Sequence, residues 1–107
     1  MEAALRAIAE PRRRRILQLV AQDELAAGEI AEHFEVTRPA ISQHLTVLRE
    51  AGLVTERRDG RRRLYRARPE GLLELRGFLD EFWADGLARL KVAAEDDERR
   101  KRRARHR

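Results

Sequence analysis

A chain of 107 residues that is 42% apolar and 40% charged supports one small domain with a thin core, so a second copy of the chain is expected to cover part of its surface. The absence of cysteine excludes disulfides and thiolate metal sites, and neither a signal peptide nor an apolar run near 18 residues is present, which points to a soluble, cytoplasmic protein. Net charge is +5 but uneven: residues 99–107 carry seven Lys and Arg and no acid, leaving 17 bases against 19 acids in the first 98.

Residues 2–9 predict a short amphipathic helix with Ala4, Leu5 and Ile8 on one stripe, ended by Pro11, which starts the next. In that second helix Ile16, Leu17, Leu19 and Val20 define the buried stripe. Arg12 and Arg13 sit above it while Arg14 points away; these arginines either touch phosphate or lie along the core edge with their heads in water. Leu25, Ala26 and Ala27 connect onward, Gly28 breaks the connection, and residues 29–34 (EIAEHF) predict a brace helix with Ile30, Ala31 and Phe34 at helical spacing.

Only Glu35 and Val36 then precede Thr37, a helix cap followed by Arg38 and Pro39 in the first turn. The helix that follows gathers Ile41, Leu45, Val47 and Leu48 on one side and Pro39, Ser42, Gln43, Thr46 and Arg49 on the other. The second face is short and polar, with donors and acceptors of a size that reaches base edges in a DNA major groove. Gly52 stops the helix. Two helices joined by so tight a turn predict a helix-turn-helix. Residues 53–58, the Asp59-Gly60 pair and residues 61–68 predict a hairpin reversing at positive-φ residues, and residues 56–68 hold seven arginines against Glu56 and Asp59.

Helix-turn-helix followed by basic hairpin is a winged helix. The ordered string, AEPRRRRILQLV, then LREAGLV running into RRDGRRRLYRA, resembles the ArsR-type winged-helix repressors of bacteria over residues 3 to about 95. The expected fold is mainly α with a small β-hairpin, in the order α-α-α-α-β-β-α, as a homodimer: residues 1–98 form the DNA-binding and dimerisation domain, and residues 99–107 a basic tail or helix extension. The expected DNA-facing set is Thr37, Arg38, Ser42, Gln43, Thr46 and Arg49 on the recognition helix and Arg57, Arg61, Arg62 and Arg63 on the wing.

Pro69 starts the last helix, whose apolar positions from Leu72 to Val92 include Phe78, Phe82 and Trp83; Gly77 and Gly86 there are expected to allow close helix approach. The resemblance implies that the first and last helices pair across a two-fold axis, which places Leu5, Ile8, Phe78, Phe82, Trp83 and Leu87 at the dimer interface. Beyond it, Glu95, Asp96, Asp97 and Glu98 stand four residues before Arg99, Arg100, Lys101 and Arg102, a spacing that favours four ion pairs on a continuing helix.

Metal-sensing members of the resembled family use cysteine pairs on the brace helix or Asp and His on the last helix. Here no thiolate exists, and His33, His44 and His106 stand on the brace helix, the recognition helix and the tail without i,i+4 pairing, so no metal and no cofactor are expected. His44 is expected to be packed or capping, the alternative being a phosphate contact from the groove edge. Ser42 and His44, two apart on a helix, diverge and form no nucleophile-base pair, so no enzyme is expected. The alternatives are a sequence-nonspecific architectural protein using the basic arm, or an interaction module using the Phe78, Phe82 and Trp83 face.

Overall fold

A computed structural model describes residues 1–105. The elements run α1 (Glu2–Ala9), α2 (Pro11–Gln22), β1 (Leu25–Ala26), α3 (Ala27–Ala31), α4 (Arg38–Glu50), β2 (Val54–Asp59), β3 (Arg62–Ala67) and α5 (Pro69–Arg105). The chain divides into two compact units after Leu75.

The first unit begins with a corner. Pro11 opens α2 with its φ already helical, and Glu10 caps it by accepting from the Arg13 backbone N–H at 2.9 Å. Arg13 and Arg14 then reach back to α1: Arg13 Nε donates to Ala7 O at 2.7 Å and its Nη2 to Arg6 O at 3.2 Å, while Arg14 Nη1 donates to Ile8 O at 3.0 Å and Ala9 O at 3.2 Å. These are the last four carbonyls of α1, which no intrahelical N–H can satisfy. The expectation that Arg14 points away is therefore corrected, and both arginines are engaged by backbone rather than held toward a ligand.

Ile16, Val20, Ile30, Ile41, Leu45, Leu48, Leu53 and Val54 form the centre of the core, each essentially inaccessible. Burying a side chain of this kind is worth about 1.5–3 kcal/mol, so the buried stripes of α2 and α4 decide how those helices are rolled. Val47, expected with the core, is 38% exposed, because the stripe that Ile41, Leu45 and Leu48 define runs to one side of it.

The brace helix is shorter and earlier than its apolar spacing suggests. It runs Ala27–Ala31, with Gly28 inside it rather than breaking the connection, and then tightens: His33 N–H donates to Ile30 O at 3.0 Å and Phe34 N–H to Ala31 O at 3.1 Å. Phe34 packs against the core from this turn, so its apolar signal is satisfied without a helix.

The two-residue strand β1 is an element the expected order lacks. It pairs antiparallel with β3 (Leu25 opposite Tyr65, Ala26 opposite Leu64), giving a three-stranded sheet ordered β1-β3-β2. The hairpin β2–β3 pairs Val54 with Ala67 through Asp59 with Arg62. Only Gly60 at its tip has positive φ (65°), so Asp59 is an ordinary strand residue and not a second left-handed one.

Helix α4 ends in a Schellman arrangement: Gly52 adopts φ 76°, Leu53 N–H donates to Leu48 O and Gly52 N–H to Arg49 O, both at 3.0 Å. The start of α5 lies on this junction. A Cβ at Gly71 would stand 2.0 Å from Gly52 O, and Arg68 N–H donates to Leu53 O at 2.8 Å. Close approach within the chain itself requires a glycine at Gly71, whereas at Gly77 and Gly86 a Cβ would meet no atom of the same chain within 4 Å.

In the second unit α5 carries Phe78, Leu79, Phe82, Trp83, Leu87, Leu90 and Val92 exposed; Phe82 retains 61% and Trp83 55% of its surface. Phe78 and Phe82 stack at 6.4 Å between centroids. The helix continues past residue 98 to Arg105. Of the four expected i,i+4 pairs, only Asp97–Lys101 forms among the described residues, at 3.2 Å; Arg99 turns instead to Asp96, three residues back, at 3.4 Å. The tail's last residues, His106 and Arg107, lie outside the described residues. No helix among the described residues is long and apolar enough to cross a membrane.

Candidate DNA interface

Thr37 Oγ1 accepts from the Ala40 N–H at 3.3 Å, fixing the start of α4, and the buried stripe opposite rolls Ser42, Gln43 and Thr46 outward. All three are exposed. The Thr46 hydroxyl donates to Ser42 O at 3.0 Å, which leaves its oxygen lone pairs and methyl group for an external partner. His44, half-buried, lies on the side toward the α1–α2 corner. There Glu10 experiences burial, which raises its pKa, outweighed by the backbone N–H groups of Arg13 and Arg12 and by the nearby His44 and Arg13 side chains, which hold it below the ordinary carboxylate value.

Beside α4 lies an open groove of about 560 Å³, with Glu29 contributed by α3, Glu32 by the turn that follows it, Arg38 and Ser42 by α4, and Arg61, Arg62 and Arg63 by the hairpin. Four of the ten residues expected to face DNA are therefore arginines sharing one concavity with the N-terminal part of the recognition helix. Thr37 and Gln43 are exposed on the same helix.

The arginines fall into two groups that local spacing does not distinguish. Arg49 Nη1 lies 2.7 Å from Glu56 Oε2, tying the end of α4 to β2, and Arg63 stands at 3.9 Å from the same carboxylate. Arg57 forks onto Glu24, with Nε at 2.9 and 2.8 Å from its two oxygens; this hydrogen bond is the main reason the Glu24 carboxyl is held below its ordinary range. Arg62 Nη2 donates to Glu29 Oε1, the same oxygen that accepts the Ala26 N–H at 3.0 Å. By contrast Arg38, Arg58 and Arg61 have no carboxylate within ion-pair distance among the described residues. Burial first, then the Glu56 carboxylate, pushes the Tyr65 phenol above its usual value at the floor of the hairpin.

Sequence reasoning missed Glu24 and Glu29 as partners of the arginines, counted Glu56 only as a charge and not as the partner of Arg49, and left Arg58 at the hairpin end out of the candidate set. Arg57–Glu24 and Arg62–Glu29 each span 33 residues, so no periodicity could reveal them. The one local signal was Glu29 at the third position of α3, where a side chain can reach back to the preceding backbone N–H. The candidate dimer residues fall on both units: Leu5 and Ile8 are half-buried on α1, while Phe78, Phe82, Trp83 and Leu87 are exposed on α5. Among the described residues no three His, Cys, Asp or Glu side chains are grouped to hold a metal ion.

Comparison with known proteins identifies the family and the fold. Residues 10–56 match the family described as bacterial regulatory protein, arsR family. The chain is 44% identical over 99 residues to the HTH-type transcriptional regulator Rv2034 of Mycobacterium tuberculosis, covering 90% of this chain and 92% of that protein. Among solved structures, a possible transcriptional regulator for arsenical resistance superposes with a TM-score of 0.73 at 53% identity, over 83% of this chain and 93% of the other. The homodimeric winged helix-turn-helix DNA-binding domain of Mb0332 from Mycobacterium bovis does so with a TM-score of 0.64 at 36% identity, over 78% and 77%. The chain belongs to the arsR family of bacterial regulatory proteins, and is a winged helix-turn-helix transcriptional regulator that binds DNA.

Proposed function

We propose that the protein is a repressor that binds an inverted-repeat operator as a homodimer, reads bases through Ser42, Gln43 and Thr46, and does so without sensing a metal. The observation that carries this is the exposed polar row on α4 beside a groove rich in arginine. A dimer sets two such helices in successive major grooves, about 34–36 Å apart, with arginines of the wings on the backbone or minor groove between or beside them. Gln43 offers the paired donor and acceptor that suit adenine. Arg38 and Arg61, without carboxylate partners among the described residues, supply phosphate contacts; Thr37 and Arg49 flank the reading face.

The homodimer is supported by the exposed aromatic row on α5 and by the homodimeric relative from M. bovis. Metal independence is supported by the cysteine-free sequence, although one similar structure is that of a possible regulator for arsenical resistance. Action in the cytoplasm, and the absence of catalysis, follow from the same reading.

The test is a salt titration of binding to operator and random DNA, the operator being selected from genomic fragments. Gln43→Ala should lose about 1–3 kcal/mol per base contact on operator and little on random DNA. Arg61→Ala should weaken both and flatten the slope of log affinity against log salt by about one for each phosphate that the arginine no longer neutralises. Equal losses for Gln43→Ala on both DNAs favour sequence-nonspecific architectural binding instead.

A further inference from the structure

Glu29 occupies an unusual place for an acid. Its carboxylate stands inside the arginine-lined groove, and it is not free to swing out, because Oε1 accepts the Ala26 backbone N–H at 3.0 Å. The same oxygen receives Arg62 Nη2. Both side chains remain accessible, Arg62 at 57% and Glu29 at 45%, so the pair is solvated and weak enough to exchange. Arg62 is thereby neutralised by Glu29, while Arg38 and Arg61 in the same groove have no carboxylate partner among the described residues.

We infer that Glu29 is a specificity-determining residue, which withholds Arg62 from DNA until a phosphate is presented to it at hydrogen-bonding distance. The inference rests on the reading of this groove as the DNA face. A duplex docked loosely, through charge alone, meets an arginine already paired and a fixed carboxylate that repels it. On operator DNA the contacts of α4 with base edges hold the register, a phosphate remains beside Arg62, and the guanidinium exchanges one anion for the other. Glu29 therefore costs random DNA one counterion-releasing contact per subunit that operator DNA recovers.

The experiment compares the full-length parent, Glu29→Gln, Arg62→Gln and the double variant by salt titration against operator and random duplexes. Glutamine keeps an oxygen for the Ala26 N–H, and an unchanged melting temperature without DNA verifies the fold. Glu29→Gln should raise affinity for random DNA about two- to fivefold per subunit, the range that exposed ion pairs span. It should also steepen the salt slope on random DNA by about one per subunit and lower the operator-to-random ratio. With Arg62 already replaced, Glu29→Gln should leave the slope unaltered. No gain on random DNA overturns the inference, as does an equal gain with and without Arg62, which marks general charge repulsion. A parent that shows no salt-dependent DNA binding overturns the underlying reading, and the inference with it.

Discussion

Gly71→Ala tests the packing that joins the recognition helix to the hairpin. The added Cβ would stand 2.0 Å from Gly52 O, 3.0 Å from Gly52 C and 3.5 Å from Leu53 Cα, all backbone atoms at the α4–β2 junction. Relieving the contact requires the two backbones to part by about 1 Å, and the Schellman turn holding Gly52 resists because two hydrogen bonds close it. Overpacking costs typically about 1–3 kcal/mol, and a backbone-to-backbone clash belongs at the upper end. Exchanging glycine for alanine in a helix returns at most about 1 kcal/mol. The net loss is then about 2 kcal/mol, a fall of about 8–15 °C in melting temperature for a chain of this size. Gly77→Ala in the same helix, where a Cβ meets nothing within 4 Å, should instead stabilise by up to about 1 kcal/mol. Thermal or urea unfolding at one fixed protomer concentration reads both. A neutral or stabilising Gly71→Ala refutes the close approach of α5 to the junction.

Phe82→Ala should dissociate the dimer in sedimentation at concentrations where the parent remains paired, since truncating a buried interface aromatic typically costs a few kcal/mol; a parent monomeric at micromolar concentration refutes the two-half-site mechanism. Zinc, nickel or cadmium at stoichiometric concentration should leave operator affinity unchanged, and a tenfold shift reversed by chelator refutes metal independence. The Arg57 bond lowers the folded-state pKa of Glu24 below its ordinary 4.5, so its stabilising effect is present above that value and is lost as pH falls through the lowered one. Unfolding of the parent and of Glu24→Gln should therefore differ at neutral pH and converge in acid; a difference that persists unchanged under acid conditions shows that the charge is not the cause.

The recognition helix was legible because each of its signals acts over a few residues: the Thr37 cap, the buried Ile41, Leu45 and Leu48, and the stop at Gly52. The helix start at Pro11 and the reversal at Gly60 belong to the same class. Illegible were features that depend on distant chain. Strand β1 exists because Leu25 and Ala26 pair with Tyr65 and Leu64, which no local pattern encodes. Phe34 imitates a helical position from a turn because it finds the core there. The division of the arginines into paired and unpaired depends on Glu24, Glu29 and Glu56, and it changes the weight of the candidate site more than any helix boundary does.

The four carbonyls that end α1 have a consequence for cooperativity. An eight-residue helix is too short to persist alone in water, since nucleation outweighs the few bonds it closes. With Arg13 and Arg14 supplying the donors for its last turn, α1 and α2 should open and close as one exchange unit, so the amides of the two helices should show similar protection. Leu5 and Ile8 are then held in place from below, by side chains on the next helix that lie outside the candidate interface set. A lysine at position 13 keeps the charge but not the fork that serves two carbonyls, so an exchange that preserves every formal charge would still loosen α1.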